Sequence, residues 1–387
     1  MYVELRHDPA RQAQTMAKID IFTATVEHFL APILPFMKDP EVSEIMVNKA
    51  TEIYIEKRGK LVKTDAKFDD DESLLAAVRN LLQFTGKRMS DDQPLIDSRL
   101  PDGSRVHVVL PPLCRGGLCV SIRKFSKTLL DAQRLVDLGS WTPMAMEYMD
   151  ICVQAEKNLL VSGGTSSGKT CLLNVLSSFI PAHQRVVVIE DSSELELQQE
   201  HVISLESRTP DRWGKGEVTI RDLFRSSLRL RPDRIVIGEV RGGEALDMIQ
   251  AMTSGHAGSM STLHANVALD ALNRLETLAM MSKVELPLYA LRSQIASAID
   301  LIVQVTRFND GRRGLTQISE VLPLGDDGHY RIQEMFVFKL KEGPGTRAGA
   351  GELAWTGKRS TFADEPKVRI LRDSWNLTKE VFDKSDT

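Results

Sequence analysis

The chain has 387 residues, 42% of them hydrophobic and 26% charged, an ordinary balance for a globular protein with length enough for two domains. Its 49 basic and 53 acidic residues leave a net charge of -4, so no global positive field draws in nucleic acid or an anionic membrane. No stretch approaches the roughly 18 uninterrupted apolar residues of a spanning helix, charges punctuate the first twenty positions where a signal peptide would be apolar, and Cys114, Cys119, Cys152 and Cys171 lack zinc-site spacing. A cytoplasmic chain with reduced thiols and no zinc is the expectation.

Residues 1–20 are polar and aperiodic and read as a tail. Residues 21–34 have helical periodicity, and Asp39, Pro40 and Glu41 then turn the chain into short alternating strands over 44–47 and 52–56. Acids at 69–72 precede Leu74, Leu75, Val78, Leu81 and Leu82, an amphipathic helix with an acidic start that suits its dipole and an end marked by Gly86. Strands at 105–110 and 118–123 complete a small α+β domain over 21–125. Arg105, Arg115 and Arg123 fall there and, taken alone, are edge-strand charges. A linker over 126–142 leads to a helix from Pro143 to about 156.

Beyond Asn158 the pattern is strand, helix, strand, helix, the grammar of a parallel sheet with helices on both faces. The stretch NLLVSGGTSSGKTCL, residues 158–172, is a buried strand, a glycine-rich turn and a helix start. Gly163, Gly164, Thr165, Ser166, Ser167, Gly168, Lys169 and Thr170 match G-x-x-x-x-G-K-[ST] without mismatch, and Cys171 follows. Such a loop wraps a phosphate with backbone N–H groups at a helix N-terminus. Lys169 would neutralise β/γ-phosphate oxygens of ATP and the Thr170 hydroxyl would sit on Mg2+.

The next strand, 185–189, ends in Glu190 and Asp191. Thr219 and Asp222 form a capping box for a helix carrying Ile220, Leu223, Phe224 and Leu228. Strand 235–237 ends in Gly238 and Glu239, and a helix runs from Glu244 to about 252. A further strand lies within GHAGSMSTLHA, between His256 and His264, and is followed by a helix over 268–281. Segments 302–306 and 315–321, joined by Asn309-Asp310-Gly311, read as an antiparallel hairpin, with one more strand over 330–340. The extension 341–387 shows no chemistry.

In open α/β sheets ligands bind outside the carboxyl ends of the strands. The phosphate loop, Glu190 and Glu239 all stand at such ends. Hydrolysis needs a carboxylate to orient a water in line with the γ-phosphate, and Glu239 is assigned that role. The usual second motif is an apolar strand ending in an Asp that holds Mg2+; Gly238 stands in the place before Glu239, so the metal would be held by Thr170 and, through water, by Glu190.

Four motifs in order, the phosphate loop, VVVIEDSSELEL, RPDRIVIGEVRGGEA and GHAGSMSTLHA, resemble the secretion-superfamily ATPases, the traffic motors of type II and type IV secretion and pilus assembly. EIMVN, RLPDGSRVHVVLPPL and SIRKF are similar to the CpaF branch, which drives tight-adherence (Flp) pilus assembly. The resemblance covers residues 30–340. It implies a RecA-like P-loop domain over 143–340 behind a PAS-like N-terminal domain, ATP and Mg2+ on Lys169 and Thr170, Glu190 in the aspartate box, and Glu239 as the catalytic glutamate. It further implies His256 and His264 as the histidine box, with His264 sensing the γ-phosphate, and Arg105 and Arg123 placed over the nucleotide. A homohexamer pushing an inner-membrane platform protein, peripherally attached through that partner, completes the picture. Ser166 stands where relatives commonly have Gly, and Cys171 where many have Thr.

The competing reading is a nucleic-acid translocase of RecA type. Near-neutral charge and 6% aromatic residues speak against it, and stimulation of ATP hydrolysis by single-stranded DNA would separate the two. A guanine-dependent switch lacks its N-K-x-D after the loop.

Overall fold

Val42, Ile45 and Val47 are buried on one strand, and Ile53 and Ile55 on the next. This near-alternation gives a sheet one apolar face. The computed structural model describes residues 28–85, 87–90, 93–100, 102–125, 130–210, 214–341 and 351–383. The expected tail, the first half of the first expected helix, Gly86, the start of the linker at 126–129 and the start of the extension at 342–350 lie outside the described residues. The chain divides into two compact units, residues 1–128 and 129–387.

The first unit holds β1 (Val42–Lys49), β2 (Glu52–Lys57), β3 (Lys60–Lys63), β4 (Leu95–Arg99), β5 (Arg105–Val109) and β6 (Cys119–Arg123) in the order β3-β2-β1-β6-β5-β4. All neighbours are antiparallel. The helix Asp71–Phe84 starts where the Asp70 carboxylate accepts the Ser73 N–H at 2.7 Å. Its Leu74, Ala77, Val78, Leu81 and Leu82, spaced by three and four, are buried with Ile45, Val106, Val108 and Ile122 of the sheet in one apolar cluster.

The second unit is built on nine strands: β7 (Leu159–Gly163), β8 (Val186–Glu190), β9 (Val202–Glu206), β10 (Arg234–Ile237), β11 (Met260–His264), β12 (Leu301–Arg307), β13 (Arg313–Leu322), β14 (Arg331–Leu340) and β15 (Gly351–Trp355). Their order is β15-β14-β13-β12-β7-β11-β10-β8-β9. From β12 to β9 the sheet is parallel; β13, β14 and β15 are antiparallel. Every residue of β7, β8 and β10 is buried, which follows from helices covering both faces. One apolar cluster includes the helices Pro143–Gln154 and Lys169–Ser177; the other includes Glu244–Thr253, Ala268–Met280 and Leu288–Ala298.

The hairpin expected around Asn309 is present as β12 and β13, with Phe308 and Arg312 closing its turn. The sheet does not end there. The described part of the extension adds β15 to β14 and buries Phe362, Trp375 and Phe382 in the core. Glu320 on β13, wholly buried, is the anchor. It accepts the Tyr148 and Ser360 hydroxyls at 2.7 and 2.5 Å and the Thr361 N–H at 2.8 Å. A buried carboxylate needs such partners. Glu147 likewise accepts the N–H groups of Asn376, Leu377 and Thr378. Residues that face one another across gaps of up to 231 positions leave no pattern in the linear chain.

Candidate active site

Register places the site. His264, the last residue of β11, is level with Gly163, the last of β7. Ile237 of β10 is level with Ile189 of β8, so Glu190 and Gly238-Glu239 emerge at the same edge of the sheet. There the phosphate loop turns tightly. A Cβ on Gly163 would meet the Val305 carbonyl at 2.4 Å and Ser167 Oγ at 2.5 Å, so only glycine fits. The Ser167 hydroxyl donates to the Gly164 carbonyl at 2.8 Å. Ser166 takes φ of 54° and Gly168 of 98°. The helix Lys169–Ser177 then begins with no side-chain cap, leaving its first N–H groups to an anion. Thr170 and Cys171 lie half-buried in that first turn, and burial pushes the Cys171 thiol pKa up.

Lys169 is folded back onto its loop, its Nζ donating to the carbonyls of Gly163 and Gly164 at 3.2 and 3.0 Å and lying 3.3 Å from His264 Nδ1. His264 Nε2 is 2.8 Å from Glu239 Oε1. With an ammonium facing Nδ1, the proton of the neutral ring belongs on Nε2, although Glu239 Oε1 lies off the line of that N–H and accepts no hydrogen bond among the described residues. Burial and then Lys169 lower the His264 pKa, against Glu239, which raises it. The other Glu239 oxygen accepts Arg241 Nε and Nη2 at 2.8 and 2.5 Å, and Arg241 Nη1 donates to Asp191 at 2.9 Å. Thr165, Glu239, Arg241, His264 and Arg274 line a pocket of about 400 Å³. A lysine, a histidine and a carboxylate thus form one chain beside a phosphate cradle, an arrangement able to bind a triphosphate and orient a water at its end.

Gly238 is explained by Glu190. A Cβ at 238 would fall 2.9 Å from Glu190 Cγ and 3.2 Å from its Oε1. The Glu190 side chain thus occupies the space beside Gly238, and Oε1 accepts the N–H groups of Glu194 and Leu195 at 3.0 and 3.1 Å. That commitment favours a bracing role over the water-mediated metal contact the sequence suggests.

His256 is the exception among the expected residues of the second unit. Its position precedes Met260, which pairs with Leu159 at the start of β7, so it lies at the amino edge of the sheet, away from the phosphate loop. One strand of about 3.3 Å per residue separates the two histidines of the motif, and a strand traversed between them puts them at opposite ends. The structure does not bring His256 to the site.

In the first unit Arg105 stands directly across from Arg123, and Arg99 directly across from Arg105. Like charges paired across strands are destabilising, so a row of three suits a face that meets an anion. Glu44 is level with Arg123, at 3.8 Å. Sequence reasoning gave no role to Arg99, Arg241 or Arg274. The spacing of Arg99 and Arg105 about a turn was the one signal for the first.

The sequence profile of the type II/IV secretion system proteins matches residues 27–336. The chain belongs to that family. This secretion ATPase is 35% identical over 309 residues to the type IV secretion system protein PtlH homolog of Bordetella bronchiseptica, covering 73% of this chain and 91% of the relative. To VirB11 of Brucella suis it is 32% identical, covering 73% and 86%. The crystal structure of the pilus retraction motor PilT with bound ADP superposes with a TM-score of 0.54 at 18% identity, covering 78% of this chain and 84% of PilT, and so supports the RecA-like fold. The family's activity is ATP hydrolysis in the service of secretion or pilus machinery. Among the described residues, no helix of this ATPase is long and apolar enough to cross a membrane.

Proposed function

We propose that the 163–170 loop holds ATP, that Glu239 is the general base that orients the attacking water, and that His264 reports the γ-phosphate to it. The Lys169–His264–Glu239 chain carries this reading, at 3.3 and 2.8 Å. Nucleotide arrival would draw Lys169 off the two carbonyls it now meets, freeing His264 and Glu239 to turn toward the terminal phosphoryl group.

Among the described residues no group of three or more His, Cys, Asp or Glu is arranged to hold a metal by itself. A Mg2+ ion arriving with the phosphates would take Thr170 as its protein ligand and neutralise charge on the β- and γ-oxygens. Glu190 braces the loop beside it. Arg105 and Arg123, with Arg99 in the same row, would neutralise further phosphate charge from the first unit. Arginines in that role are worth about 10³ to 10⁵ in rate.

The machine we infer is a homohexamer on the cytoplasmic face of the inner membrane, pushing a platform protein of a tight-adherence pilus of the CpaF type. The motifs EIMVN and RLPDGSRVHVVLPPL support that branch. The kinetic test is Glu239→Gln. Nucleotide affinity should be retained while turnover falls at least about 10²-fold, the usual size of a general-base loss; turnover at the wild-type rate would remove the assignment.

A further inference from the structure

Arg313 opens β13 level with Arg307 of β12, and its contacts run to the phosphate loop. Its Nε–H donates to the Ser166 carbonyl at 2.8 Å. Its stem lies over Gly168, where an added Cβ would come within 3.4 Å of Arg313 Cδ. The Arg313 backbone is itself pinned, because its carbonyl accepts the Ser140 hydroxyl at 3.0 Å. Two residues on, Leu315 donates its N–H to the Ser140 carbonyl at 2.9 Å.

Ser166 holds φ at 54°, a left-handed backbone unfavourable for any residue with a Cβ and retained where the surroundings impose it. The carbonyl that Arg313 grips belongs to this strained residue. In a trans peptide the carbonyl and the following N–H point in opposite directions. Fixing the Ser166 carbonyl toward Arg313 therefore turns the Ser167 N–H the other way, away from the guanidinium.

We propose that Arg313 is a positioning residue of the phosphate loop. It holds the 166–167 peptide in its anion-binding orientation and compensates for serine at a position that glycine would occupy without strain. The proposal rests on the loop being the nucleotide site, and it assigns to a strand 147 residues downstream a part in shaping that loop. Its chemical expectation is in affinity: Arg313 orders the cradle ahead of binding, so its loss should raise KM far more than it lowers kcat.

The test is a double-mutant cycle on the full chain, reading the affinity for a fluorescent ADP analogue and steady-state ATP turnover. Arg313→Ala should weaken nucleotide binding about tenfold, the usual worth of a hydrogen bond from a charged donor, with kcat at saturating ATP changed less than about threefold. In a Ser166→Gly background the same change should cost less than about threefold, because glycine takes the left-handed conformation unaided. An equal loss in both backgrounds, or no loss in either, would overturn the proposal, since a general structural role would not depend on residue 166. Arg313→Gln, which keeps the stem and removes the charge, is run alongside and should behave as Arg313→Ala. Failure of the nucleotide reading would look different: wild type and Lys169→Ala would then bind the analogue equally.

Discussion

The two edges of the parallel sheet use polar residues in opposite ways. At the amino edge the partners are mostly fixed backbone, with two partly exposed acids. The Asn158 amide donates to the Ala298 carbonyl at 2.7 Å and accepts the Ser259 N–H at 3.0 Å, while Lys157 reaches Asp300 and Glu365 at 3.3 and 2.7 Å. Arg234, wholly buried, donates to Gln184 and to the Val153 carbonyl at 2.7 and 2.9 Å, and its guanidinium lies where any side chain on Gly258 would fall. At the carboxyl edge Lys169, His264, Glu239, Arg241 and Asp191 mostly hold one another. Arg241, Asp191 and His264 are about half-exposed there; pairs of that kind are worth only about 0–1 kcal/mol, so a triphosphate can displace them at little cost. One edge is built to stay and the other to be rearranged.

The sharpest way to break this contrast is at the amino edge. Arg234→Met keeps volume but removes one of the two donors of the buried Val153 carbonyl, which keeps the Glu156 N–H, and the partner of the partly buried Gln184 amide oxygen. A loss of about 3 kcal/mol in urea unfolding is expected, with nucleotide affinity kept within about twofold. A loss below about 0.5 kcal/mol would show that the amino edge does not carry stability in this way. Burial already lowers the Arg234 pKa to about 10, a sign of how far its charge sits from water.

Gly238→Ala probes the boundary between the two behaviours. Its new methyl would lie 2.9 Å from Glu190 Cγ, and overpacking of this kind costs about 1–3 kcal/mol. Because Glu190 must move, turnover should fall with stability; intact turnover beside lost stability would detach Glu190 from catalysis. The smallest effect concerns His264. Burial, Lys169 and Arg241 hold its pKa below the usual imidazole value against Glu239. The unfolded chain therefore binds that proton more readily, and stability declines as pH falls from about 6.5 through the lower folded value, with no contribution above it. The ring is half-exposed, so the slope should be shallow. Comparing midpoints from pH 5 to 7 for wild type and His264→Gln checks it: curves that diverge only on the alkaline side would contradict the sign.

The part of this site legible in the sequence is the part built from neighbours in the chain. The phosphate loop, the strand ends and the Thr219–Asp222 capping box, which forms as read, are all local signals. Arg313 and Arg274 depend on crossings between distant elements, which no spacing reports; in the first unit the Arg99–Arg105–Arg123 row depends on strand register, of which only the Arg99–Arg105 turn spacing gives a sign. His256 shows the converse error: two histidines eight positions apart read as one box, yet a whole strand runs between them. The extension stayed silent because its anchors, Glu320 and Glu147, lie on elements far upstream.

Gly238 has a meaning beyond its own small size. Its bare Cα is a seat lent to a neighbouring strand, and the acid that sits in it is Glu190. The two positions can therefore drift only as a couple. A descendant that gained a side chain at 238 would have to shorten or relocate the carboxylate at 190, and one that lost that carboxylate would leave room for a side chain at 238.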